Sequence, residues 1–94
     1  MATAIDTIRI TDYLRQNIPG LDVPFEGSGL QVILDFQEHT DVAGTAGKRA
    51  TILRPDGSTT TWTIAGSVVL HGVPALFFKG MLAGEVPRLS EITW

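Results

Sequence analysis

The sequence predicts an all-β domain: a closed or partly open β-barrel, or a sandwich, of about six or seven short antiparallel strands with one short N-terminal helix. Three observations carry this. Pro55-Asp56-Gly57 separates two runs rich in Thr, Ile, Leu and Trp. Leu30–Gln37 alternates apolar and polar residues with the period of a strand. Glycine-containing turns recur between the remaining apolar runs, leaving room for short strands and little room for helices.

Taken in order, residues 1–6 are small or polar and read as a tail with little reason to order. Ile8 and Ile10 alternate with Arg9 and start a short strand. Thr11-Asp12 before Tyr13-Leu14 resembles a helix start. Pro19 ends that helix, because proline disfavours the helical state of the residue before it. The predicted helix therefore covers 11–18. Residues 21–25 contain Pro24 and read as an extended edge.

Leu30, Val32, Leu34 and Phe36 form a core face, with Gln31, Ile33, Asp35 and Gln37 opposite. Residues 38–47 are a polar connection with Val42 as its one sizeable apolar residue. A hairpin follows, with strands near 48–54 and 58–65. Proline presets φ at the first corner of its turn, and glycine accepts positive φ. Trp62 and Ile64 point inward, and Thr59, Thr61 and Thr63 form a solvated β face. Ser67–His71 and Ala75–Lys79 are two further strands separated by Gly72-Val73-Pro74. Their continuous apolar runs predict burial on both faces or a barrel interior with an end cap. Leu89–Trp94 is the last short strand.

Length and composition narrow the functional classes. Ninety-four residues make a single domain, 1–94, with one small core and little material to spare for a deep pocket. The hydrophobic fraction of 44% and charged fraction of 18% are those of a folded globule. No cysteine is present, which excludes disulfides, thiolate metal sites and cysteine nucleophiles. The absence fits a reducing compartment, and the N-terminus lacks a basic start followed by an apolar run, so a cytoplasmic location is the expectation. Residues 68–83 are apolar but interrupted by His71, Gly72, Pro74, Lys79 and Gly80, so no membrane span is expected.

The net charge is −3 and the cations are scattered. Backbone-directed nucleic-acid binding needs clustered cations. Only Lys48, Arg49 and Arg54 approach a cluster. Nucleic acid is thus a disfavoured partner unless folding gathers those three with Arg88, which are the candidate anion-binding residues.

Several motifs invite a chemical reading. Gly44-Thr45-Ala46-Gly47-Lys48 resembles a phosphate loop, but Val42 stands where the first glycine belongs, Arg49 where Ser or Thr belongs, and a strand follows where a helix is needed. It reads as a turn. Asp35 and His39 fall on one strand face and are the candidate metal ligands, with His71 as a distant third. A solvated strand end explains the same residues. His71 and Lys79 read as strand ends with polar tips in water. None of Ser28, Ser58, Ser67 and Ser90 sits in a nucleophile elbow. No catalytic residue and no cofactor are assigned. Trp62 and Tyr13 read as core anchors, and Trp94 as a candidate partner contact.

From Asp22 onward the order of signals resembles the second-domain β-barrel of translational GTPases, the barrel of elongation factor Tu and its relatives. The similarity rests on Gly27-Ser28-Gly29 before Val32-Ile33-Leu34, and on Gly44 or Gly47 before Ala50-Thr51-Ile52-Leu53. It continues with Ala75-Leu76-Phe77-Phe78-Lys79-Gly80 and Glu85-Val86-Pro87-Arg88-Leu89. It covers about three quarters of the chain; Leu89 replaces the family's glycine. The resemblance implies a six-stranded closed barrel, which in the family contacts the GTPase domain and RNA. The acidic balance and the lack of a GTPase domain leave GTP and tRNA binding out of the expectation. What remains is a non-enzymatic interaction module that binds a protein partner or self-associates. The alternatives are a small metal-binding or hydrolytic domain built on Asp35 and His39, and a weak RNA-binding barrel.

Overall fold

The computed structural model describes residues 2–10, 28–35 and 41–94. Among them, seven strands form one antiparallel sheet: β1 (Ala2–Ile10), β2 (Gly29–Leu34), β3 (Arg49–Leu53), β4 (Thr59–Thr63), β5 (Gly66–Leu70), β6 (Val73–Lys79) and β7 (Glu91–Thr93). A 3₁₀ turn, Ala83–Glu85, links β6 to β7. The order across the sheet is β4-β3-β7-β1-β2-β6-β5. The sheet curls but does not close, so β4 and β5 remain its two ends. The expected helix over 11–18 and extended stretch over 21–25 lie outside the described residues.

β1 joins the two halves of the sheet. Ala2 and Thr3 pair with Ile92 and Glu91 of β7, while Ala4 to Ile10 pair with β2. Between Ala4 and Asp6 the register slips by one residue, so Ile5 is the extra residue of a bulge. A bulge bends the strand and sharpens its twist. Residues 2–6 are thus ordered into this strand, not a tail. Ala2 and Ala4 are fully buried, and their small side chains let β1 run close to the core.

The core contains Leu30, Val32 and Leu34 from β2, Ala50 and Ile52 from β3, and Leu76 and Phe78 from β6. Ile64, Val42, Met81, Val86 and Ile92 complete it, with Trp62 and Trp94 packed against it. Each large side chain of this kind contributes about 1.5–3 kcal/mol when fully buried. The alternation expected for the hairpin is present, and on β2 its inward half is: Leu30, Val32 and Leu34 are buried, while Phe36 lies outside the described residues. Gln31 departs from the alternation: it is buried, because it pairs with Phe77 on the second face of β6. Ala75 and Phe77 on that face are buried too, as the continuous apolar run of β6 predicts; the run of β5 departs from the same expectation, since Val69 on the sheet's end strand is exposed.

The turns follow local chemistry. Gly57 N–H donates to the Arg54 carbonyl at 2.9 Å and Arg54 N–H to the Ser58 carbonyl at 2.8 Å. Gly57 has φ 90°. This is a three-residue hairpin loop whose glycine takes the left-handed position. Asp56 Oδ1 accepts from Ser58 Oγ at 2.6 Å and from Ser58 N–H at 2.9 Å. These bonds, the hydroxyl first, hold the Asp56 carboxyl below its ordinary value.

Two elements differ from expectation. β5 and β6 are joined by His71-Gly72 alone, both with positive φ (52° and 79°), as a tight two-residue hairpin requires. Pro74 therefore lies inside β6, opposite Val69. The Phe77 carbonyl accepts from Ala65 on the β5 side. Alternation then turns the Pro74 nitrogen toward β2, whose pairing with β6 stops at Ala75. No ladder bond is lost there.

Gly29 begins β2 beneath the Phe77 ring. A Cβ at this position would meet the Phe78 carbonyl oxygen, and the Phe77 ring at 2.7 Å. Backbone cannot yield to such a contact. Gly29→Ala is expected to destabilise the domain by about 1–3 kcal/mol, measured by urea unfolding; an unchanged midpoint would contradict this packing.

Candidate functional site

β4 carries the most distinctive surface. The hairpin bonds at its two ends, Arg54 N–H to Ser58 carbonyl and Ile64 N–H to Lys48 carbonyl, are both 2.8 Å. Between them alternation sends the backbone groups of Thr60 and Trp62 toward β3. Those of Thr59, Thr61 and Thr63 point the other way, where no described strand pairs with them. Three N–H donors and three carbonyl acceptors thus line one free edge. β4 reads Thr-Thr-Thr-Trp-Thr, with no charge, proline or bulge.

The other edges differ. The far half of β1, beyond its contact with β7, carries the Ile5 bulge and the charged residues Asp6 and Arg9. Charges and bulges are the usual devices that keep an edge from pairing. Among the described strands, β4 carries none of these devices; β5 carries none either, but its Ser67 is already engaged.

A shallow cleft of about 440 Å³ lies along the last residues of β4. Arg49, Thr61, Trp62, Thr63, Ala65 and Lys79 line it. Trp62 is half-buried, and its Nε1–H donates to the Lys79 carbonyl at 3.3 Å. The indole therefore spans the gap between the end of β4 and the end of β6. Arg49 and Lys79 are exposed and both line the cleft, and no acid lines it.

The residues expected to bind anions separate. Lys48 and Arg49 are exposed at the start of β3, and Arg54 sits beyond its other end. About 3.3 Å per residue puts the two ends well apart. Arg54 is engaged within the molecule: Nε donates to the Glu85 carbonyl and a terminal nitrogen to Glu85 Oε2, both at 2.8 Å. Its other terminal nitrogen reaches Ser58 Oγ at 3.4 Å. Arg54 thus ties the hairpin to the 3₁₀ turn. Arg88 is exposed at the corner before β7.

Asp35 is exposed at the end of β2, where its N–H donates to the Thr3 carbonyl at 2.7 Å. His71 is exposed in the β5–β6 turn, and His39 lies outside the described residues. Among the described residues no three His, Asp or Glu side chains gather as a metal site. Trp94 packs against the core and is half-buried.

Lys79 is the residue that sequence reasoning did not connect to Arg49. Thirty positions separate them, and they line one cleft only because the fold brings the end of β6 near the end of β4. No local pattern signals this.

No protein-family model, curated protein or solved structure matches the chain significantly. Among the described residues no helix is long and apolar enough to cross a membrane.

Arg54→Lys keeps the charge but loses the planar fork that serves Glu85 twice. It is expected to cost about 1 kcal/mol, since the pair is only partly buried. Urea unfolding measures it, and wild-type stability in this variant would show that the clamp carries no energy.

Proposed function

We propose that this domain is a non-enzymatic interaction module that binds a protein partner by accepting an extended segment along β4. The observation that carries the reading is the uncharged, unprotected edge of Thr59, Thr61 and Thr63. An added strand satisfies main-chain groups there and gains affinity from the backbone alone. The small core supports the same reading, because so few residues leave little room for an enclosed substrate site. A cytoplasmic setting fits the cysteine-free sequence.

The resemblance to the second-domain barrel of translational GTPases also supports an interaction role. Leu89 stands where that pattern has glycine, and it adopts φ 73°, the left-handed conformation that glycine takes without strain. That corner fits the resemblance despite the substitution, whereas the six-stranded closed barrel it implies differs from the seven strands here, whose sheet does not close.

The reading makes an alternating prediction for amide hydrogen exchange in the free protein. Thr59, Thr61 and Thr63 amides exchange fast, while Thr60, Trp62 and Ile64 are protected, and sedimentation gives a monomer. Uniform protection along β4, or a dimer that protects its outward amides, would show that the edge is already covered and would overturn hetero-partner binding.

A further inference from the structure

The partner's chemistry can be read one step further, on the basis of strand addition at β4. We infer that the segment accepted there is acidic, with a carboxylate seated by Arg49 and Lys79.

The register places that carboxylate. Arg49 lies directly across from Thr63, and both side chains are on the exposed face. A strand added outside β4 runs about 4.8 Å from it, and so about 10 Å from β3. Threonine is short. The Arg49 side chain can pass over Thr63 and meet an Asp or Glu on the added strand opposite it. Lys79 lines the same cleft from the end of β6, whose last carbonyl Trp62 reaches. Two cations with no acid among the cleft residues make a local positive site on a chain whose net charge is −3. Screening over about 8 Å at physiological salt keeps the distant acids from cancelling it.

The two cations also act as a filter. A lysine or arginine on the added strand at that position would face like charges, which disfavours it. The backbone edge then supplies binding and the cleft supplies choice. A nucleic-acid strand would also present anions, but it would leave the outward N–H and carbonyl groups of β4 unpaired. The protein segment satisfies both sets of groups.

The test uses the whole chain and three probes: a short blocked peptide of alternating valine and glutamate, its valine–lysine counterpart, and oligouridylate. Binding is followed by amide exchange and by anisotropy of labelled probes. The expected result is that the glutamate peptide binds about tenfold tighter than the lysine peptide at physiological salt and slows exchange at Thr59, Thr61 and Thr63. The variant carrying Arg49→Glu and Lys79→Glu is expected to reverse the preference. Both residues are exposed, so the variant tests charge without touching the core. Equal binding of both peptides, with β4 amides protected, would overturn the acidic selection and leave strand addition standing. Protection by neither peptide at about millimolar concentration would overturn both. Tighter binding of oligouridylate than of either peptide would reassign the cleft to nucleic acid.

Discussion

The structure depends on β1 serving two half-sheets at once. Its first residues pair with β7 and the rest with β2, so the two hairpins β3–β4 and β5–β6 are held on opposite wings of a single curled sheet. Ala2 and Ala4 fit between the wings because they are small, and the Ile5 bulge supplies the bend. Curling brings β4 round toward β6 without pairing it there. The gap is spanned by one side chain, Trp62, whose indole N–H reaches the Lys79 carbonyl. The free edge and the cleft are therefore consequences of how β1 is placed, although β1 contributes nothing to either.

Stability and recognition are kept apart on the same hairpin. At one end, Arg54, Glu85, Asp56 and Ser58 use their polar groups on one another and fix the turn. At the other end, Arg49 stays exposed beside Thr63 and Trp62. Two arginines five positions apart, one opening β3 and one just past its end, thus have unlike roles, because the 3₁₀ turn reaches one and not the other. The threonines divide in a similar way. Their side chains give a solvated face, and their alternate backbone groups give the unpaired edge.

Much of the fold was legible in the sequence where signals are local. Pro55-Asp56-Gly57 names its own turn, and the alternation of β2 and β4 names their inward faces. The apolar run of β6 predicts burial on both sides. What failed was whatever only pairing decides. Ala-Thr-Ala-Ile-Asp has no strand pattern, yet it is ordered by neighbours on both sides. Pro74 reads as a breaker, yet its nitrogen turns to a side where no bond is required. Leu89 reads as an ordinary strand residue, yet it takes a left-handed corner. The candidate site was legible in part: Arg49 stood out within the hairpin, whereas Trp62 reads as a core anchor. Lys79 did not stand out, since its place in the same cleft is set by topology, and Arg54 reads as an anion ligand because its partner Glu85 lies thirty-one positions away.

The central claim is that β4 accepts a strand, with an acidic side chain falling opposite Thr63. Cross-strand nuclear Overhauser contacts between the backbone protons of β4 and those of a bound glutamate peptide test it most directly. The account predicts a continuous antiparallel or parallel ladder of such contacts along Thr59–Thr63, with a glutamate next to Arg49. Contacts confined to the threonine side chains, or to the exposed Leu53 and Leu89 at the other end of the hairpin, would contradict it.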